Sequence, residues 1–225
     1  MSTVDTVIKI AKAEVGYHEG RSNGHWNNKE KYAAQVPGLA WVSTGGEPWC
    51  AVFVSWVALK AGAADLYPRT ASTDLGARWF KDRKRWSEYP AIGAQVFFGS
   101  NGDMNHTGIV YDYDATYIYT IEGNTNSSGS REGDGVYLKK RERRAANVQG
   151  YGYPAFPEGI KSADPAWAHA APKPAVKPAP KPAATPNIDR AVEAVQKAVK
   201  GNKPGPKRKS LRGVLATLKG LSSKY

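Results

Sequence analysis

The stretch PWCAVFVSWVALKAG, residues 48–62, is apolar at nearly every position. A helix that is hydrophobic on all sides is usually buried at the centre of a domain. Pro48 suits the first turn of such a helix, and Gly62 suits its exit. The stretch therefore predicts a central helix around which the domain is built, with Cys50 near the helix start.

Two further helices flank this one. An amphipathic N-terminal helix is predicted, which Ser2 or Thr3 can cap and Gly16 can end. Its apolar residues recur at the spacing of one helical face: Val4, Val7, Ile8, Ala11 and Val15. A short helix is also expected from about residue 72 to residue 83. Residues 17–47 are rich in Gly and Asn, and a loop of that length is usually functional or carries short helices of its own.

From residue 92 onward, apolar residues alternate with polar ones, which indicates strands. Gly-, Asn- and Asp-rich turns separate five candidate strands, at residues 94–98, 106–112, 116–122, 136–141 and 148–153. Helices followed by strands predict an α+β domain, in which N-terminal helices pack on an antiparallel β-sheet.

The positive charge of the chain is concentrated in its C-terminal part. Residues 160–225 hold 14 Lys and Arg against 3 Asp and Glu, while the whole chain has a formal net charge of +12. Residues 160–187 are rich in Pro, Ala and Lys and predict a semi-rigid linker. Residues 188–225 carry two short apolar stripes among their basic residues and predict a basic helical tail. We therefore expect a domain at residues 1–159, this linker and this tail.

Cys50 is the only cysteine in the chain, which excludes internal disulfides and a cysteine-based metal cluster. A helix start presents unpaired N–H groups and the positive end of the helix dipole, which favours a thiolate, and a thiolate is a nucleophile. The same N–H groups can stabilise an oxyanion. The competing interpretation is that Cys50 is a small buried hydrophobe, as most lone cysteines are.

His106 is the histidine best placed to partner a thiolate. It begins a predicted strand, and Glu122 ends the next one. With Asp114 at the middle of the turn, both residues lie equally far from it, so an antiparallel pair would set them opposite each other at ~5 Å. Glu122 could then orient the imidazole and stabilise its cation. Asn124 shares that face and could do the same if the register slips, and a chance cross-strand ion pair is the alternative.

Three motifs occur in order along the chain: PWCAVFVSW at residues 48–56, NHTGIV at 105–110 and IEGN at 121–124. Together they resemble the CHAP domain (cysteine, histidine-dependent amidohydrolase/peptidase), and the similarity covers roughly residues 4–157. The resemblance implies a papain-like fold and cleavage of bacterial peptidoglycan, as an N-acetylmuramoyl-L-alanine amidase or as an endopeptidase. It also implies a catalytic set without a cofactor: Cys50 as nucleophile, His106 as general base, and Glu122 with Asn124 as orienting groups.

One departure from the family is visible. Many relatives have Gly-Asp before an apolar strand, where this chain has Gly93 followed by Ala94. Some relatives hold calcium on Asp residues that precede the cysteine. This chain has no Asp between Asp5 and Asp65, so we expect no metal site.

The expected partners are peptidoglycan and anionic wall polymers. Four aromatic residues are candidates for a substrate groove by position alone: Tyr17, Trp26, Trp41 and Trp49. The competing interpretation places such residues in a Trp- and Tyr-rich core. The basic tail favours a polyanion, here the cell wall, with weak membrane-surface contact or a merely solvated extension as alternatives. We expect no nucleic acid as partner, because the tail offers only Tyr225 for stacking, and we expect a monomer.

A domain followed by a Pro-rich spacer and a basic tail, with no visible signal peptide, resembles the layout of bacteriophage endolysins. Such a protein is expected to stay in the host cytoplasm and to reach the wall once the membrane is permeabilised. Two other functions remain open. One is a non-enzymatic wall-binding or virion structural protein, and the other is a cationic, membrane-active antibacterial protein that acts through its tail.

Overall fold

The computed structural model describes residues 1–128 and 132–167. The chain divides into two units, Met1–Pro174 and Ala175–Tyr225, and all described residues lie in the first. Most of the expected linker and the whole of the expected tail, residues 188–225, lie outside the described residues.

The described residues form four α-helices and a short 3-10 turn: α1 (Thr3–Ala13), the turn (Ala33–Gln35), α2 (Trp41–Gly45), α3 (Cys50–Lys60) and α4 (Thr73–Asp82). The predictions of α1, α3 and α4 are confirmed. The side chain of Ser2 caps α1 by accepting from the amide of Asp5, and Ser72 caps α4 through the amide of Leu75. The loop before α3 carries the 3-10 turn and α2. None of the helices in the described part of the chain has both the length and the apolar character needed to cross a bilayer.

The strands form one two-stranded hairpin and one six-stranded antiparallel sheet within the described residues. The hairpin consists of β1 (Arg21–Ser22) and β2 (His25–Trp26). The sheet consists of β3 (Trp86–Ser87), β4 (Gln95–Ser100), β5 (Asp103–Tyr113), β6 (Tyr117–Thr125), β7 (Gly135–Glu142) and β8 (Val148–Gly152), in the order β3-β8-β4-β5-β6-β7. The five predicted strands are all present. The hairpin and β3 were not predicted, because two-residue strands are too short to show an alternating pattern.

Helix α3 is the centre of the larger apolar cluster. It begins at Cys50 rather than at Pro48, because Trp49 is a non-helical N-cap with φ −123° and ψ 14°. Every residue from Cys50 to Ala58 is buried, which confirms the predicted central helix. The helix lies against β5 and β6, the two strands that carry the other candidate residues.

Strand β4 is buried on both faces of the sheet. Successive residues of β4 point to opposite sides, so Phe97 joins the cluster that contains the helices, whereas Phe98 joins a second cluster. Residues beyond Gly159 help to complete that second cluster. The amide of Ile92 donates to the carbonyl of Lys161. Trp167 packs edge-on against Tyr153, with ring centroids 5.0 Å apart, so the folded chain continues past the expected boundary at residue 159.

Candidate active site

Trp49, the residue that precedes Cys50, is held by hydrogen bonds from both its side chain and its backbone. Trp49 is wholly buried, and its indole N–H donates to Oε2 of Glu19 at 2.6 Å. Its backbone amide donates to Oδ1 of Asn124 at 3.2 Å. Cys50, which is 5% exposed, therefore begins α3 from a fixed position.

Asn28 links this anchor to the preceding loop. Its backbone amide donates to Oε1 of Glu19 at 2.6 Å, and its side-chain Oδ1 accepts from Nδ2 of Asn124 at 3.0 Å. Asn28 and Asn124 have φ values of 55° and 53°, in the left-handed region that Asn tolerates better than most residues. The loop, the end of β6 and the start of α3 thus meet around Trp49. Sequence reasoning missed Glu19 and Asn28, because no motif or spacing links either residue to Cys50.

His106 and Glu122 are brought together, but not by the register that the sequence predicted. Nε2 of His106 lies 2.9 Å from Oε2 of Glu122. The strands pair Ile109 with Ile121, and the same register continued sets Glu122 opposite Gly108. The expectation that Glu122 lies directly opposite His106 is therefore wrong.

The position of the turn and a bulge explain the difference. The amide of Asp114 donates to the carbonyl of Tyr117, so the turn follows Asp114 instead of being centred on it. The register also shifts between Val110 and Asp112. Glu122 reaches the imidazole diagonally, across Gly108. A Cβ at Gly108 would lie 2.6 Å from Cγ of Glu122, so the missing side chain leaves the room that this diagonal contact needs.

The carboxylate of Glu122 is fully buried and accepts four hydrogen bonds. Its Oε1 accepts from Oγ1 of Thr120 at 2.6 Å and from Nε of Arg141 at 2.8 Å. Its Oε2 accepts from Nη2 of Arg141 at 2.5 Å and is 2.9 Å from Nε2 of His106. These bonds fill the lone-pair sites that a carboxylate offers. The sequence analysis did not identify Thr120 or Arg141. The available signal for Arg141 was a basic residue on the strand next to the one that carries Glu122.

The residues of this cluster stabilise the charged forms of Glu122 and His106. Burial by itself would raise the pKa of Glu122, but hydrogen bonds from Arg141 and His106 outweigh it and lower that pKa to about 2. Burial by itself would lower the pKa of His106, but hydrogen bonds with Cys50 and Glu122 raise that pKa to about 9. At neutral pH the pair is therefore a carboxylate and an imidazolium.

Cys50 is the third residue of this cluster. Its side chain contributes to the raised pKa of His106. An ionised Glu122 only accepts hydrogen bonds, so Nε2 of His106 carries a proton toward it, and Nδ1 is the ring nitrogen left for Cys50. The imidazole is also stacked on the ring of Phe98, with centroids 5.7 Å apart. A thiol, an imidazole and a buried carboxylate in this order can generate and use a sulfur nucleophile.

Asn124 is placed differently from the other three implied residues. Its side-chain hydrogen bonds go to the Trp49 amide and to Asn28, so it holds the residue before the nucleophile rather than the imidazole. Within the described residues, no group of three or more His, Cys, Asp or Glu side chains is arranged to hold a metal ion.

Two of the groove candidates differ sharply in exposure. Trp41, on α2, is 43% exposed. Trp49 is 0% exposed, so the expectation that it lines a groove is wrong, because its indole anchors the start of α3 instead.

The other two groove candidates are partly buried. The ring of Tyr17 packs against Trp49 with centroids 6.2 Å apart, and its hydroxyl accepts from the amide of Lys31. Trp26 lies in the short hairpin, where the ring of His18 stacks on it at 5.4 Å and the guanidinium of Arg21 lies 4.4 Å from its ring centroid. Part of each ring is thus occupied by the protein itself.

Residues 41–124 match the family model of the CHAP domain. The matched stretch runs from α2 into β6 and contains Cys50, His106, Glu122 and Asn124. No curated protein and no solved structure matches the chain. CHAP domains are generally cysteine- and histidine-dependent amidohydrolases. The thiol, the imidazole and the carboxylate described above therefore lie in a stretch that is similar to the CHAP domain, within an α+β fold of helices and an antiparallel sheet.

Proposed function

We propose that this chain is a peptidoglycan hydrolase that cleaves an amide bond in the stem or bridge peptide through the thiolate of Cys50. The main support is that Cys50, His106 and the ionised, wholly buried Glu122 come together at one site, with His106 hydrogen-bonded to Glu122. The CHAP match supports the substrate class, because this domain suggests a peptidoglycan hydrolase.

The proposed reaction has two halves. Sγ of Cys50 attacks the amide carbonyl carbon, the C–N bond breaks, and the His106 imidazolium gives its Nδ1 proton to the leaving amine. The result is a thioester on Cys50 and a free amine. Water then loses a proton to His106 and attacks the thioester, which releases a carboxylate and restores the thiolate–imidazolium pair. Glu122 stays ionised and acts as a positioning residue, and the reaction needs no cofactor.

The first amides of α3 are available to stabilise the oxyanion. The first helical bond of α3 runs from the amide of Phe53 to the carbonyl of Trp49. The amides of residues 50–52 precede that bond and have no partner within the helix. They lie in the same turn as the sulfur of Cys50, where backbone N–H groups can hold a developing negative charge.

Digestion of purified peptidoglycan, followed by mass spectrometry of the released muropeptides, tests the proposal. The wild-type protein is expected to release fragments that carry one new amine and one new carboxyl group at an amide bond. Cys50→Ser is expected to release hardly any, while its circular dichroism spectrum and its binding to walls match the wild type. Cleavage of a glycosidic bond, or full activity of Cys50→Ser, would contradict the proposal.

The biological role proposed for this activity is that of a bacteriophage endolysin, made in the host cytoplasm and active on the wall after the membrane is permeabilised. Its support is the layout of the chain, with a Pro-rich segment followed by residues 188–225, which carry ten Lys and Arg against two Asp and Glu. Such charge favours anionic wall polymers. Lysis of expressing cells only when a pore-forming partner opens the membrane supports this role, and lysis without such a partner counts against it.

A further inference from the structure

We propose that Arg141 is a positioning residue of this site, which holds both carboxylate oxygens of Glu122 and thereby fixes the carboxylate against His106. The inference rests on the proposed thiol chemistry of Cys50, but not on the identity of the substrate.

The geometry is that of a two-pronged guanidinium–carboxylate contact. Nε of Arg141 donates to Oε1 of Glu122 at 2.8 Å, and Nη2 donates to Oε2 at 2.5 Å. Two parallel hydrogen bonds fix the plane of a carboxylate, which a single bond does not. With the plane fixed, Oε2 faces Nε2 of His106 at 2.9 Å.

Phe98 supports the imidazole and the guanidinium together. The ring of His106 stacks on it with centroids 5.7 Å apart and an interplanar angle of 26°. The guanidinium carbon of Arg141 lies 4.9 Å from the centroid of the same ring. The two cations that Glu122 bridges therefore share one aromatic support, which limits how either can move.

The need for a cation at this position follows from burial. The side chain of Glu122 is 0% exposed, and an unpaired carboxylate at such a place is strongly disfavoured. Arg141 is 28% exposed and reaches in from β7, the edge strand of the sheet. It supplies a permanent charge, whereas His106 changes its charge during the proposed reaction.

Removal of Arg141 should raise the proton affinity of Glu122, because the loss of a nearby positive charge favours the neutral form of a carboxyl group. A protonated Glu122 no longer stabilises the imidazolium of His106. The reaction of Cys50 with an alkylating reagent should then be slower at mildly acidic pH and recover as the pH rises.

The chain offers a direct readout, because Cys50 is its only cysteine. The full-length protein is treated with iodoacetamide over a range of pH, and the alkylation rate is measured by intact-protein mass spectrometry. For Arg141→Met we expect alkylation slower on the order of tenfold at mildly acidic pH, with recovery at alkaline pH. Arg144→Met, which removes an exposed cation further along the chain, should behave like the wild type.

Two further variants separate positioning from a general effect on folding. Arg141→Lys keeps the charge but not the two-pronged contact, so alkylation of this variant should be slowed several-fold. If Arg141→Met does not fold, the result for Arg141→Lys decides the test. In a Glu122→Gln background, Arg141→Met should change the alkylation rate far less than in the wild type, because Arg141 acts through Glu122.

The contradicting result is a folded Arg141→Met or Arg141→Lys protein whose alkylation follows the wild-type pH dependence. That result would leave Arg141 as an ordinary structural ion pair that affects only the melting temperature. Because the readout uses no peptidoglycan, failure of the proposed substrate class would leave this test intact.

Discussion

Glu122 keeps its charge although it is wholly buried, and the charged carboxylate is hydrogen-bonded to His106. The free-energy cost of burying a carboxylate is offset only when its hydrogen-bonding sites are filled, and here Thr120, Arg141 and His106 fill them. Motifs and spacing predicted the pairing with His106. They did not predict Arg141, because this contact depends on how β7 and β6 align, and a turn-rich connection does not fix that alignment. Thr120 lies two residues before Glu122 on β6 and so shares its face, a spacing that could have indicated the contact.

The imidazole of His106 should make stability depend on pH. Its pKa rises on folding from 6.5 to about 9, so its contribution is fully present below about 6.5 and is lost as the pH rises through about 9. The loss is at most ~3 kcal/mol, from the size of the shift. Denaturant unfolding of the wild type between these two pH values should show the decline, and His106→Gln should show a flatter profile. Parallel profiles for the two proteins would contradict the raised pKa.

The longer helices and strands were predictable because each has a clear apolar pattern. The uniformly apolar stretch at residues 48–62 predicted α3, and alternation predicted the five longer strands. The register of β5 and β6 was not predictable, because a turn placed after Asp114 and a bulge between Val110 and Asp112 shift the pairing. For the same reason, the contact that Asn124 makes was not predicted. Its φ is positive, and its side chain accepts from the Trp49 amide.

Gly108 offers a test of the diagonal contact between these strands. In Gly108→Ala, the new Cβ would lie 2.6 Å from Cγ of Glu122 and 3.0 Å from the carbonyl oxygen of Ile121. The carboxylate must therefore move away from His106. We expect a stability loss of ~1–3 kcal/mol, as for overpacked sites, together with a large loss of peptidoglycan hydrolysis.

Gly45→Ala is the matched control for this substitution. A Cβ at Gly45 meets Glu47 no closer than 3.4 Å, which is an ordinary contact. Its hydrolysis rate should stay near that of the wild type. Wild-type hydrolysis by Gly108→Ala would show that Glu122 does not need this space.

At the scale of the whole molecule, the composition of the sequence did not reveal how far the packed chain extends. Its composition change near residue 160 marks where the Pro- and Lys-rich segment begins, but residues 160–167 still pack on the sheet. Ser162 hydrogen-bonds the hydroxyl of Tyr153 at 2.7 Å, and Asp164 accepts from the hydroxyl of Ser87 at 2.5 Å. Composition cannot reveal such contacts, because each depends on a few polar groups that come together only in the folded chain.

The domain limit can be tested by truncation. A protein that ends at Trp167 should unfold at nearly the same temperature as the full chain. A protein that ends at Gly159 loses these hydrogen bonds and the packing of Trp167, so it should be destabilised by a few kcal/mol. Equal melting temperatures for the two truncated proteins would mean that residues 160–167 add nothing to the fold.

The basic residues that follow should affect wall lysis rather than chemistry. Relative to the full chain, the protein that ends at Trp167 should hydrolyse soluble muropeptides equally well but lyse intact walls several-fold more slowly at low enzyme concentration. The difference should shrink as salt shortens the Debye length from ~10 Å at 0.1 M to ~3 Å at 1 M. Equal lysis of walls at every salt concentration would contradict a wall-binding role for the tail.

The most direct test of the central claim is the capture of the thioester on Cys50. Full-length protein is mixed with a soluble peptidoglycan fragment and quenched in acid within the first turnover, and the intact-protein mass is then measured. We predict an adduct on Cys50 whose mass equals the acyl part of the cleaved bond. An adduct that contains the sugar but no amino acid would identify an amidase, and an adduct that contains stem- or bridge-peptide residues an endopeptidase. Hydrolysis of the fragment with no adduct at any quench time, or equal hydrolysis by Cys50→Ala, would contradict the claim.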